Sequence, residues 1–252
     1  MAHAPSFVNT LQLRTAYGQS GTQPDIFTAL RTLRPVPGAN GTGALTPQFY
    51  GNPTLGPERG VETEIGFDAG FLNDRLGLDF TYYHTRTEDA ILSRPVAPST
   101  GFGANSQFVN AGAILNQGVE ALFKAALISS THYGWDVNLN VSKNAGKVER
   151  LNGTDTTIVV GSLQHRIGYA PWSFFRERVV SADYDPATQR AINAMCDDGK
   201  GGATPCFNAN GTVIAPRVFL GRAVPSVEGS FGTTVRLFDR FRINGMVDFK
   251  TG

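Results

Sequence analysis

The sequence predicts an all-β protein, an antiparallel transmembrane β-barrel segment of about seven to nine strands that does not by itself close a barrel. Three observations predict it. Seven segments alternate apolar and polar residues with a period of two. The connections between them alternate between short and long. The polar faces carry full charges rather than Ser and Thr alone.

The alternation can be followed along the chain. Leu11–Tyr17 sets Leu11, Leu13, Thr15 and Tyr17 on one face. Glu64–Phe71 opposes Ile65, Phe67, Ala69 and Phe71 to Glu64, Gly66, Asp68 and Gly70. Arg75–Tyr83 opposes Leu76, Leu78, Phe80 and Tyr82 to Gly77, Asp79, Thr81 and Tyr83. Val119–Ala125, Trp135–Ser142, Val227–Leu237 and Phe241–Lys250 repeat the pattern, with Phe123, Leu139, Phe231 and Val247 among their apolar residues. A helix would space its apolar residues by three and four, so these are strands with one greasy and one wet face.

Asn73-Asp74 is a two-residue hairpin signal. Ser129–His132 and Asp239-Arg240 make the other two short turns. The long connections run over roughly Gly18–Gly60, Thr87–Leu115 and Asn144–Pro225. Outer-membrane barrels keep this rule, with short periplasmic turns and long extracellular loops. Inside the last connection, Phe174–Ser181 and Arg217–Leu220 are candidates for further strands. A soluble β-sandwich could also solvate one charged face, but it would have to explain three long loops.

Composition excludes several classes. With 22 Lys and Arg against 21 Asp and Glu, and no basic run, there is no electrostatic case for nucleic acid. No stretch approaches the ~18 apolar residues of a membrane helix, which says nothing against strands. Met1-Ala2-His3-Ala4-Pro5 lacks the basic and apolar regions of a signal peptide. Either the protein is cytosolic or its true N-terminus lies further upstream.

Catalytic and metal chemistry find little support. His3, His84, His132 and His165 are scattered without ligand spacing, so no metal site is expected from them. Glu228-Gly229-Ser230-Phe231-Gly232 lacks the first Gly of a nucleophile elbow. Gly101–Ser106 follows no βα pattern that would make it a dinucleotide loop. The Asn-Gly-Thr triplets at Asn40, Asn152 and Asn210 read as turns. No enzyme and no cofactor is expected. The oxygen-rich stretch 183–211 could suit calcium, although a solvated acidic loop accounts for it better. Cys196 and Cys206 sit close together, as for a short-loop disulfide of an oxidising compartment or as two free thiols.

Seven residues are candidates for contact with a substrate. Arg14, Glu120, Asp136 and Arg236 are charges of the wet face. Trp172, Phe174 and Phe175 lie in the last long connection, where they could stack on a sugar or peptide or pack the loop down. Glu58 and Glu64 belong near the external rim. Trp135 and Tyr82 suit an interfacial girdle, with Tyr83 pointing inward.

Several stretches carry a resemblance. Tyr50-Gly51-Asn52-Pro53-Thr54-Leu55-Gly56-Pro57-Glu58, then Glu64–Leu76, then Asp79-Phe80-Thr81-Tyr82-Tyr83 resemble, in order, the NPxLxPE … ExGxDxxFxxxRL … YY signature of TonB-dependent receptor barrels. Leu13–Gly21, Asn110–Glu120 and Gly221–Pro225 resemble segments of the SusC/RagA-like branch. The resemblance spans about Leu11 to Lys250. It implies that residues 1–252 are a partial receptor barrel in the cell outer membrane of a Gram-negative bacterium, serving active uptake of oligosaccharides or peptides. The implied partners are the lipid bilayer, a plug domain, the TonB energy-coupling complex and a SusD-like surface lipoprotein. Signal peptide, TonB box, plug and closing strand are not matched, so this length alone is not expected to perform TonB-dependent uptake. The competing readings are a surface adhesin or a soluble carbohydrate-binding β-sandwich.

Overall fold

The computed structural model describes residues 7–102, 106–152 and 156–252. The sequence readings on residues 1–5, on the centre of Gly101–Ser106 and on most of the triplet at Asn152 lie outside the described residues. Seven antiparallel strands form one sheet: β1 (Val8–Thr22), β2 (Glu58–Phe71), β3 (Leu76–Glu88), β4 (Gly112–Ser129), β5 (Tyr133–Leu151), β6 (Val227–Leu237) and β7 (Phe241–Thr251). Neighbours in the sheet are neighbours in sequence. Among the described residues the sheet does not close, and β1 and β7 each leave an unpaired edge.

The register explains the alternation. Leu11 lies opposite Ala69, then Leu78, Phe123, Leu139, Phe231 and Val247 follow across the remaining strands. This is one unbroken apolar row through all seven strands. On the other face, three residues along β1, a row runs Arg14, Gly66, Thr81, Glu120, Ser142, Glu228 and Lys250. A one-residue slip anywhere would put charges into the greasy face, so the pattern fixes the register.

The apolar face is not a core. Leu13 is 80% exposed, Val247 63% and Phe231 42%. A sandwich would bury these side chains beneath a second sheet, and no described sheet covers them. The buried apolar cluster of Leu92, Ala111, Val148, Leu151 and Ile158 instead sits where the long connections meet the strand ends. Among the described residues no helix is long and apolar enough to cross a membrane, which says nothing of crossing by strands.

The short turns lie at one end. Asn73 and Asp74 both take positive φ (56° and 60°), and the Arg75 N–H donates to the Leu72 carbonyl, the twist that suits a hairpin. The last turn differs from expectation by one residue. Phe238 and Asp239, rather than Asp239 and Arg240, take positive φ. The Phe238 ring packs edge-on against Tyr133, and Asp239 meets His132 Nδ1 at 2.7 Å. These contacts hold the turn one residue earlier.

The strands are longer than the alternation marks. β5 runs to Leu151 and β2 starts at Glu58, both inside the expected loops. The remaining strands stay out of the seven-stranded sheet. The first long connection holds the hairpin Thr32–Pro37 and Gly43–Phe49, with Asn40 at φ 59° in its turn. The second holds Ile91–Pro95 and Ser106–Asn110. The third holds a four-stranded sheet (Thr157–Val160, Leu163–Arg166, Ser173–Arg176, Val218–Arg222) and a three-stranded one (Val179–Asp185, Arg190–Asp197, Ala203–Pro205). The candidate strand Phe174–Ser181 is therefore two strands of different sheets. Its break falls at Glu177 and Arg178, which turn to pair with Arg217 and Asp197.

Candidate functional site

The polar face of the sheet is a wall of charges and amides. Asp68 and Asp79 lie directly opposite each other on β2 and β3. Like charges in that position repel, and Arg14 of β1 neutralises both. Its Nε is 3.0 Å from Asp68 and its Nη2 2.6 Å from Asp79, with a further donation to Thr81. Gly66 makes this possible, since a side chain there would strike the Phe80 carbonyl and crowd the guanidinium. Lys250 pairs with Glu228 at 3.0 Å. Glu120 borders a shallow cleft with Ser142, Glu228 and Lys250. Tyr83 points onto this face and covers Gly118, whereas Tyr82 lies in the opposite, apolar row with Ile65 and Val119.

The apolar face is bounded at both ends. Near the short turns stand Tyr133, Leu237 and Phe241 in one row, then Trp135, Val235 and Ile243 in the next. The indole N–H of Trp135 donates to the Thr233 hydroxyl at 2.9 Å. The last mainly apolar row upward is Thr15, Ile65, Tyr82, Val119, Lys143, Val227 and Thr251, with Lys143 its single charge. Above it the same face turns charged. Arg86 meets Glu88 and Glu149, and Arg150 meets Glu88 at 3.0 Å. Tyr133 to Lys143 spans ten residues of β5, about 33 Å of strand and about 25 Å of height at a tilt near 40°.

Above the wall the three long connections are tied together by asparagines. Asn52 donates to the Phe108 carbonyl and caps Thr54. Asn110 donates to the carbonyls of Gly56 and Asp89, and its Oδ1 accepts the Gly56 N–H. Asn152 donates to the Asn110 carbonyl. Glu58 accepts the Ile91 N–H, so this rim carboxylate anchors the second connection. With Gln107, whose amide donates to the Gly51 carbonyl, the asparagines surround a polar cavity of about 470 Å³. Sequence reading flagged Asn52 and Asn110 only inside motifs. Nothing in a single Asn reveals a partner 54 residues away.

The third connection carries the aromatic candidates. Phe175 is fully buried and packs on Tyr169 and Phe219. Of its two readings, ligand stacking or packing the loop down, the observed burial goes with packing. Phe174, one residue earlier on the other face of its strand, is 41% exposed, and Trp172 is 38% exposed. Trp172 sits at φ 57° with its ring against His165, centroids 4.2 Å apart. His165 is fully buried, and among the described residues neither ring nitrogen has a hydrogen-bond partner. Burial holds its pKa below the usual 6.5, so the imidazole is neutral.

Cys196 and Cys206 are joined in a disulfide. The acidic residues around it already accept from the chain's own donors. Asp197 takes the Gly199 N–H and pairs with Arg178. Asp198 takes the N–H groups of Lys200 and Gly202, and Asp185 the Thr188 hydroxyl and the Ala187 N–H. These bonds hold all three carboxyls below the usual range. Among the described residues no group of three or more His, Cys, Asp or Glu could hold a metal.

The substrate candidates thus fall in three places. Arg14 and Glu120 share one row midway up the wall. Asp136, opposite Thr234, and Arg236, opposite Gly134, lie near the short turns. Trp172 and Phe174 stand in the third connection, far along the chain from the rest. The arrangement presents a charged, hydrogen-bonding surface along the sheet.

Comparison with known proteins places these observations. The family model described as TonB dependent receptor-like, beta-barrel matches residues 5–210. TonB-dependent receptor P26 of Formosa agariphila is 31% identical over 58% of this chain and 15% of its own length. TonB-dependent receptor SusC of Bacteroides thetaiotaomicron is 27% identical over 64% of this chain and 16% of its own. The RagAB peptide transporter structure superimposes with a TM-score of 0.77 at 19% identity, covering 98% of this chain and 27% of that one. The chain spans about a quarter or less of the length of the curated relatives it matches.

Proposed function

The chain belongs to the TonB-dependent receptor β-barrel family, and from that premise we propose that its seven strands form an arc of the wall of a nutrient importer in the outer membrane of a Gram-negative bacterium. The observation that carries this is the uncovered apolar face. Its mainly apolar rows span about 25 Å, the height of the apolar band of outer-membrane barrels, and end in aromatic residues below and charges above.

The other features fit this reading. The charged face becomes the lumen, and the stapled connections its extracellular cap. The raw edges of β1 and β7 cannot face lipid, because unpaired backbone groups are too costly there, so further strands complete the wall. Trp135 and Tyr133 then stand at the periplasmic interface, where amphipathic rings are favoured. Oligosaccharides or peptides are the substrate classes, by analogy with the SusC receptor and the RagAB transporter. A plug domain, the TonB complex and a capping surface lipoprotein are the partners. Catalysis forms no part of this role. A surface adhesin or soluble sandwich is not favoured, since either would have to cover the apolar face.

Uptake tests the proposal. A strain lacking this protein should lose energy-dependent accumulation of a labelled peptide or oligosaccharide that the parent strain takes up. Unchanged accumulation across panels of both classes would refute the transport reading.

A further inference from the structure

Between the lumen face of the wall and the third connection lies a cavity of about 180 Å³. Its floor is Ile114 and Asn116 of β4 with Asn144 and Gly146 of β5. Gly146 suits the close packing here. A Cβ at that position would stand 3.3 Å from the Pro171 ring, a tight contact that the connection would have to ease by a few tenths of an ångström. The wall opposite is apolar, made by Pro171, Trp172, Val224 and Pro225. Trp172 holds the left-handed conformation that a bulky residue rarely adopts, and this sets its ring at the cavity.

Two polar groups in this cavity are incompletely used. The Oδ1 of Asn144 is buried and has no hydrogen-bond partner among the described residues. Buried acceptors are nearly always satisfied, so this one, on a residue that lines the cavity, is short of a donor. Among the described residues the Arg222 guanidinium donates to the Asn144 carbonyl alone, at 3.4 Å, and makes no ion pair. Its planar fork matches a carboxylate. No acidic residue lines the cavity to occupy it.

We propose that this cavity is a subsite for the C-terminal residue of a peptide with an apolar side chain, its carboxylate on Arg222, its N–H on the open oxygen of Asn144 and its side chain against Pro171 and Trp172. This rests on the transport reading and narrows its substrate class. A sugar fits less well. Each buried hydroxyl would need a partner, and Asn116, Asn144 and Arg222 are the only polar side chains in a mainly apolar lining.

The probes are the tripeptide Ala-Ala-Leu with a free carboxylate, the same tripeptide as its C-terminal amide, and maltotriose. Binding is measured calorimetrically to the detergent-solubilised protein, wild type and Arg222→Gln. The free acid should bind at least about tenfold more tightly than the amide, and Arg222→Gln should erase that difference while its β-sheet signal stays intact. Trp172→Ala should weaken acid and amide alike. Equal binding of acid and amide, tighter binding of maltotriose, or discrimination that survives in Arg222→Gln would each overturn the subsite. The transport reading is judged separately. Lost discrimination in a protein that still supports uptake removes the subsite alone, and discrimination without uptake supports the subsite while removing the transport role.

Discussion

Removing the Asn110 side chain should free the first long connection from the second. Asn110 makes three hydrogen bonds with its amide, two donated at 2.9 and 2.8 Å and one accepted at 2.8 Å. All are partly shielded from water. At about 1 kcal/mol net for each bond, Asn110→Ala should cost roughly 3 kcal/mol of local stability. That corresponds to a hydrogen-exchange rate more than about 100-fold higher across residues 50–58 if exchange follows local opening. Asn110→Asp sharpens the test. It keeps the acceptor for Gly56 N–H but points an oxygen at the Gly56 and Asp89 carbonyls. The nearly isosteric Asp should therefore be at least as damaging as Ala at neutral pH. It should recover partly in acid, when the carboxyl gains a proton to donate. Exchange measured by mass spectrometry reads both variants. Rates within about threefold of wild type, or an Asp variant that behaves like wild type at neutral pH, would refute the reasoning.

Two further outcomes follow from the same geometry. Leu139→Arg puts a charge in the middle apolar row and should cost about 2–4 kcal/mol of folding stability in lipid vesicles, whereas Asn140→Arg, on the lumen face, should cost far less; comparable losses on urea titration would contradict the assignment of faces. The third connection should loosen in acid in two stages, followed by Trp172 fluorescence. Above pH 6.5 His165 is neutral folded or unfolded and contributes nothing. Below 6.5 the unfolded chain takes up the proton that the buried ring resists, so stability falls until pH reaches the lowered folded value. The depressed carboxyls of Asp185, Asp197 and Asp198 stabilise above the usual carboxylate range, and that contribution is lost as pH falls through their lowered values. His165→Phe should abolish the first stage only, and a first stage that persists in this variant would sink the assignment.

The seven wall strands were legible because one face is apolar and the other polar and charged, and the sequence records the contrast residue by residue. Their ends were not legible for the same reason. Beyond Lys143 on β5 both faces meet water or loops, so alternation fades although the strand continues to Leu151. Phe174 and Phe175 are indistinguishable by type, and only the pairing with Val218–Arg222 decides that Phe175 is the buried one. Arg14 was visible as a lumen charge. Its task of holding Asp68 and Asp79 together depends on a register that brings three strands into line. The asparagine staples and the cavity under Trp172 arise from contacts between distant segments, which a local pattern does not encode.

The central claim is that the greasy face meets lipid and the charged face meets water. Both cysteines of the chain are joined to each other, so single cysteines introduced from Asp136 to Ser142 can carry a spin label in the membrane-inserted protein. The account predicts a period of two, with labels at 137, 139 and 141 relaxed by oxygen from the lipid and those at 136, 138, 140 and 142 by a water-soluble nickel complex. Labels at 137, 139 and 141 shielded from both reagents, as in the closed core of a soluble sandwich, would contradict it.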